Sequence, residues 1–273
     1  MAENGCSFAM KAPIDRQLDR MDLLIVRWRL GWPVKFWKLN RRLSRFWLVY
    51  WNSTPGATLE FRDRNIVMSP GKLVLIPPYT LVTAYTSQPF LHNFMEFEAA
   101  SPFDSVKSVP MEFSAADYVP VLPPDCDQVH LSLALYSLAE RLLLAVPREY
   151  FSSRNPGLFE SRIQTAIQYM DAHPMKKYSA AELCRLVNLS ESRFLHLFKE
   201  ETGISARDYW TKLRLNLVLR MLEDTDLSIP EIAEEAGFSD RSQLSQVIKA
   251  EFGLTPAAIR KKTQKNRMNR SGK

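Results

Sequence analysis

Ser192, Leu195, His196 and Lys199 stand at i, i+3, i+4 and i+7, and Ser242, Ser245, Gln246 and Lys249 repeat that spacing fifty residues later. On a helix this spacing puts four side chains on one face. Their chemistry is that of hydrogen bonding to bases and phosphates. Gln246 can pair bidentately with adenine, worth about 1–3 kcal/mol of discrimination when the geometry is good. His196 can donate to a base acceptor or to a phosphate. Leu195 offers no hydrogen bond; a thymine methyl would give it a partner, unless a small rotation of the helix buries it. Lys199 and Lys249 suit phosphates better than bases. Arg193 and Arg241, near the starts of the same helices, complete the candidate DNA-contacting set.

The elements that must hold these faces form an internal repeat. Residues 179–205 and 228–255 align at an offset of 49 up to the serine after the turn and of 50 beyond it, so the second copy has one extra residue. Each copy opens on a serine with glutamate three residues on (Ser179/Glu182, Ser228/Glu231), which predicts a capping box. Each first helix is expected to end at a residue that tolerates a left-handed backbone, Asn188 or Gly237. Ser190 and Ser239, each beside an acid, are the expected caps of the second helices. Phe194, Leu197 and Phe198, and Leu244, Val247 and Ile248, should point inward. A tight turn between two capped helices is the geometry that lets the second enter a major groove. Residues 207–223, with Trp210, Leu213, Leu217 and Met221 at helical spacing, should form the helix joining the copies. Two such units would read successive grooves about 34 Å apart, hence one long non-palindromic site.

Net charge adds little. The total of +6 resolves into 17 basic and 15 acidic groups over 1–157, 12 and 15 over 158–259, and 7 and none over 260–273. The excess is thus mostly the C-terminal stretch 260–273, of which the tail 263–273 is expected to be disordered. The chain, 46% hydrophobic and 24% charged, has room for two domains. No stretch approaches the roughly 18 apolar residues of a membrane span; the best run, Leu131 to Val146, is broken by Glu140 and Arg141. No signal-peptide pattern opens the chain. Cys6, Cys126 and Cys184 are scattered and odd in number, as expected for a reducing cytoplasm, and Cys184 reads as a small buried hydrophobe.

Upstream, 46–51, 58–62, 72–77, 81–86 and 91–97 read as short strands separated by Pro- and Gly-containing turns, suggesting a sandwich or open barrel. Before them Trp28, Trp32, Phe36 and Trp37 alternate with seven basic residues between Arg27 and Arg45. That mixture fits strands with one solvated face, with nucleic-acid contact as the alternative. Residues 99–127 are proline-rich and read as connecting loops. Leu131, Leu135, Leu138, Leu142 and Ala145 form the seam of a helix over 128–146, which can pack on its own sheet or on a second chain. Ile163, Ile167 and Met170 mark a further helix, ended by His173-Pro174. Residues 148–157 are the expected interdomain linker.

Four motifs carry a resemblance: F-x-x-x-F-K-x-x-x-G from Phe194 to Gly203, the lone Arg214, I-x-E-I-A-x-x-x-G-F-S from Ile229 to Ser239, and F-G-x-T-P from Phe252 to Pro256. Over about 160–262 the chain resembles the AraC/XylS family of bacterial transcription regulators, with Ile229 one place from its usual position. The front half resembles that family's cupin-like effector domain through residues 69–85 and 91–97. The histidine usual after the Pro-Pro turn is absent, and Leu81-Val82-Thr83 stands there. With His92 alone in the sandwich, no metal and no cofactor is expected.

The implied architecture is α+β with two domains: a cupin-like β-sandwich with helices over 1–147, and an all-α domain with two helix-turn-helix motifs over 158–262. The resemblance implies an activator in the cytoplasm and nucleoid that meets double-stranded DNA and RNA polymerase. It implies a homodimer through helix 128–146 and a small-molecule effector, a sugar or other metabolite. His92, Phe94 and Glu96 share one strand face and are the candidate effector contacts; a satisfied strand histidine is the plainer role for His92. A regulator with no ligand, controlled by abundance or a partner protein, is the alternative. No hydrolase, P-loop, zincin or dinucleotide motif argues for an enzyme. A DNA-repair methyl acceptor would need a zinc-bound cysteine cluster near the lone Cys6.

Overall fold

The structure, a computed structural model, describes residues 22–35, 38–100, 102–103, 106–123, 125–151 and 159–261. The basic tail 263–273, linker residues 152–157, Cys6, Phe36 and Trp37 lie outside the described residues. Among the described residues nine strands follow one another: β1 (Leu23–Val34), β2 (Lys38–Arg42), β3 (Trp47–Asn52), β4 (Ala57–Glu60), β5 (Asn65–Val67), β6 (Lys72–Ile76), β7 (Val82–Thr86), β8 (Phe90–Ala99) and β9 (Met111–Ser114). They form two antiparallel sheets, β1-β8-β3-β6-β9 and β2-β7-β4-β5.

All five strands expected from the β-branched and aromatic runs are present. The stretch around Arg27–Arg45 contributes β1 and β2, the expected strands, but the face is not a solvated one: Arg27 and Arg29 pair with Glu223, and Arg42 with Glu96. Residues 99–127 are not all loop, however. They contain β9 and a short helix, α1 (Ala115–Tyr118). A four-residue strand among prolines has too few positions to show alternation.

The larger sheet is covered on both faces, which explains why β3 is an unbroken apolar run. Leu48 and Tyr50 point between the sheets, among Leu59, Ile66, Val74, Val82 and Phe94. Trp47, Val49 and Trp51 point the other way, onto helix α2 (Gln128–Leu144). Buried on both sides, such a strand has no polar face to show.

Helix α2 starts at Asp127, whose carboxylate accepts from the His130 amide at 2.8 Å. Its Leu135, Leu138 and Leu142 lie in the sandwich core. Of the two partners open to the leucine seam, its own sheet and a second chain, the seam uses its own sheet. Val129, Leu133 and Leu144 are exposed on the same helix. A leucine seam looks alike in both settings, because sheet and helix both bury one stripe.

The remaining described helices are α3 (Ser161–Ala172), α4 (Ala180–Val187), α5 (Glu191–Thr202), α6 (Ala206–Asp224), α7 (Ile229–Glu235) and α8 (Arg241–Phe252). Ile163, Ile167 and Met170 of α3 are fully buried, and His173 caps its end. Cys184 is buried in the same core. No helix among the described residues is long and apolar enough to cross a membrane.

Candidate nucleic-acid interface

Helices α4 and α5 make the first helix-turn-helix, and α7 and α8 the second. Asn188 (φ 51°) and Gly237 (φ 67°) both take the left-handed conformation after the first helix of their unit. That turn lets the chain reverse within two or three residues. Ser190 caps α5, accepting from the Arg193 amide. In the second unit the cap is Asp240, not Ser239: its carboxylate accepts from the amides of Ser242 and Gln243 at 2.6 and 2.8 Å. Ser239 and Gln243 brace the turn instead, the Gln243 side-chain oxygen accepting from the Ser239 amide at 2.9 Å. The extra residue therefore lengthens the turn and leaves α8 in step with α5.

The two entry caps also differ. Ser228 and Glu231 form the complete reciprocal box. At the first unit Ser179 accepts from the Glu182 amide, but the Glu182 carboxylate is bound to Tyr169 and Lys176. That half of the expected capping box is not made. A phenol and an ammonium are better partners for a carboxylate than one amide.

Each unit has its own core. Phe194, Leu197 and Phe198 are buried with Tyr209 and Trp210 of α6. Leu244 and Ile248 are buried with Leu215, Val218 and Leu222 of α6, and Val247 is half-buried beside them. Helix α6 thus serves both cores with different faces. Its buried residues differ in part from the stripe expected: Trp210 is buried, while Leu213, Leu217 and Met221 are half-buried. Lys212 pairs with Glu251 at 3.0 Å, tying α6 to α8. Arg214 donates to the Lys176 carbonyl at 3.0 Å and lies over the Phe238 ring, bracing one unit against the turn of the other.

The inward packing leaves the opposite faces outward. Ser192, Arg193, Leu195, His196 and Lys199 are all exposed, as are Arg241, Ser242, Gln246 and Lys249; Ser245 is half-buried. Leu195 is 36% exposed, so no rotation of α5 hides it. His196 Nε2 lies 3.7 Å from Glu200, a contact that solvent screens. Lys199 and Arg41 of β2 line the same clefts.

The sandwich is docked onto the first unit. Leu43 is buried in that unit's core, with Tyr79 and Leu81 packed against it. The Tyr79 and Tyr209 hydroxyls donate to the two oxygens of Asp171 at 3.0 and 2.6 Å. Burial raises the Asp171 pKa, and the two phenol hydrogen bonds only partly offset it. Arg27 and Arg29 of β1 both meet Glu223 of α6, at 2.6 and 2.7 Å.

The three candidate effector residues sit together on β8 and are all buried. Glu96 pairs with Arg42 at 2.9 Å. Burial alone would raise its carboxyl, but the Arg42 and Arg27 guanidinia outweigh that and hold it below the usual range. His92 stacks against Phe94, lies close to Tyr50 and Phe90, and has Nδ1 3.0 Å from Asn52 Oδ1. Burial, with Arg29 and Arg27 near, pushes its imidazole down from 6.5 to about 3. The unfolded chain takes up that proton near 6.5, so the histidine's stability contribution is complete above this pH and is lost as pH falls toward 3. The slope approaches about 1.4 kcal/mol per pH unit. Replacing His92 with glutamine should flatten the melting temperature between pH 6.5 and about 5, above the carboxylate range. A slope unchanged by the substitution would mean the ring is already protonated in the fold.

A model described as a helix-turn-helix domain matches residues 183–262. The arabinose operon regulatory protein of Escherichia coli K12 is 25% identical over 222 residues, 73% of this chain and 75% of that protein. GlxA, a transcriptional regulator of Rhizobium meliloti, is 32% identical over 117 residues, 42% of this chain and 34% of that protein. Residues 183–262 are similar to the helix-turn-helix domains of such transcription regulators. Matches to LumQ of Photobacterium leiognathi and to the Msm operon regulatory protein of Streptococcus mutans span about half of those proteins, 48% and 47%. The fold extends the likeness to the front of the chain. A structure of ToxT from Vibrio cholerae, with unsaturated fatty acid bound, superposes with a TM-score of 0.57 over 88% of this chain and 95% of that one, at 13% identity. A β-sheet domain thus stands ahead of a helix-turn-helix domain similar to those of transcription regulators.

Proposed function

We propose that the chain binds one long, asymmetric DNA site, with α5 and α8 in successive major grooves. Ser192, Arg193, Leu195 and His196 read one half, and Arg241, Ser242, Ser245 and Gln246 the other. Lys199 and Lys249 hold phosphates. The observation that carries this is the duplicated scaffold with unlike outward residues: left-handed turn residues and inward side chains correspond, while Leu195 and His196 stand where the second copy has Ser245 and Gln246. Specificity then rests on placed side chains, since residues 158–259 are slightly acidic.

The experiment is a pair of substitutions read on an array of DNA sequences. Gln246→Ala should relax preference at one or two base positions, at a cost of about 1–3 kcal/mol on the favoured base. Lys199→Ala should weaken all sequences alike and shallow the salt dependence. Equal losses on every sequence from both variants would remove the assignment of reading faces.

The front half, residues 1–147, is the regulatory domain in this account, cupin-like and joined by 148–157 to the reader. A small molecule bound there biases DNA binding through the face carrying His92, Phe94 and Glu96. The fatty acid bound by ToxT supports a small-molecule effector by fold analogy. Dimerisation, if it uses α2, takes the exposed Val129, Leu133 and Leu144 rather than the leucine seam. The chain works without catalysis, in the cytoplasm at the nucleoid, as an activator acting on RNA polymerase.

A further inference from the structure

Among the described residues three other than glycine take a left-handed backbone: Arg41, Tyr79 and Asn188. Asn188 makes the turn of the first unit, and Tyr79 anchors the sandwich on Asp171. Arg41, at φ 49°, has no such use within the chain. It is exposed and makes no hydrogen bond or ion pair among the described residues. A left-handed backbone is strained at a residue with a long side chain, and such strain gathers where a group has to be aimed. The pairing of β2 with β7 also shifts register between Leu39 and Arg42. An irregularity of that kind turns a side chain out of its strand's alternation.

Arg41 is turned toward the reading helices. Its Nη2 lies 3.6 Å from where a Cβ on Gly203 would stand, at the C-terminal end of α5. Strand β2 also runs beside α8, so it meets both helix-turn-helix units. Arg41 and Lys199 line two clefts together. The smaller, about 370 Å³, is completed by Asp208 and Thr211 of α6 and by Glu251 of α8. There Lys212 and Glu251 compensate each other at 3.0 Å. Arg41 and Lys199 then outweigh Asp208, which is bonded to Ser205, by one positive charge. The larger cleft sets Glu60, Asp63, Glu200 and Glu201 against three cations, Arg41, Arg62 and Lys199. It has no positive excess, so the smaller cleft is where an anion fits. Lys199 is already assigned to a phosphate, and the fork of a guanidinium matches two phosphate oxygens.

We propose that Arg41 makes the sandwich part of the DNA interface, its guanidinium holding, with Lys199, the phosphodiester backbone of the duplex between the two half-sites. The inference rests on the DNA-reading assignment above and adds to it a contact from outside the helix-turn-helix units. A sandwich docked on the first unit, with Leu43 in that unit's core, supplies this anchor. An undocked sandwich withdraws it. Affinity for every sequence then depends on docking, while base preference does not.

The test is equilibrium binding of the full chain to its selected duplex and to an unrelated duplex, between about 50 and 200 mM salt. Arg41→Asn removes the charge and keeps a residue that tolerates the left-handed backbone, so its melting temperature should match the parent's. It should weaken both duplexes alike and lower the salt slope by about one. Across that salt range the parent should then lose about three- to fourfold more affinity than the variant. Arg41→Lys, which keeps the charge, should keep the slope. Adding Lys199→Ala to Arg41→Asn should lower the slope by about one more. Affinity and slope unchanged in Arg41→Asn, a loss confined to one base position, or tighter binding by the variant would each overturn the proposal. The last result would mean that the sandwich obstructs the duplex. A chain that selects DNA with a slope indifferent to Arg41 sinks this inference alone, and one that selects no DNA sinks the regulator reading with it.

Discussion

Glu96→Ala should destabilise the chain by about 3–5 kcal/mol, because it leaves the Arg42 guanidinium buried without its carboxylate. Glu96 is 2% exposed and Arg42 14%, with Arg27 close enough to depress the glutamate's pKa. Removing the acid therefore leaves like charges facing each other in the sandwich. Glu96→Gln should lose less, since the amide oxygen can still accept from Arg42. The pair also gives a pH signature. A carboxyl held below its ordinary 4.5 stabilises the fold fully above that value, and the contribution disappears as pH falls below it. Urea unfolding of the three proteins at neutral pH checks the ranking. A loss under about 1 kcal/mol for Glu96→Ala, the range of exposed pairs, would mean that water reaches the site.

Phe198→Ala should be of similar size, about 3–5 kcal/mol, with a different functional outcome. The Phe198 ring is fully buried, with the Phe194 ring 5.8 Å and the Tyr209 ring 5.9 Å away. It joins the first reading helix to the helix that sets the spacing of the two units. A cavity there loosens α5 against α6, so affinity should fall mainly through the half-site that we assign to Ser192, Leu195 and His196. Denaturant unfolding, and binding to sites altered in one half at a time, would measure both effects. A stable protein with both half-sites weakened equally would contradict the separation of the two cores.

The reading units were legible because they are local. Caps, left-handed turn residues and an i, i+3, i+4 core all lie within thirty residues, and the duplication let one copy check the other. The details that escaped depend on competition between equivalent groups. Ser239 and Asp240 are both good caps, and only the backbone path decides between them. Glu182 had a serine amide within reach in sequence, and a tyrosine and a lysine within reach in space.

The sandwich was legible where strands are long and β-branched. It was not legible at β9, which is short. Strand β1 carries register shifts between Ile25 and Arg27 and between Arg29 and Trp32, so period-two alternation is broken along it. Its arginines look like a solvated or nucleic-acid-binding face until Glu223, nearly two hundred residues on, accounts for both. The stripe of α6 that meets the sandwich could not be told from a surface face for the same reason: its partners are far away in sequence.

One chain should read two unlike half-sites with two unlike faces. Selecting bound sequences from a random DNA pool tests it most directly, with the parent chain and Gln246→Ala run side by side. The expected motif is asymmetric, with two informative blocks about one helical turn apart, of which only one loses information in Gln246→Ala. A symmetric palindrome, or a motif that Gln246→Ala leaves unchanged, would contradict it.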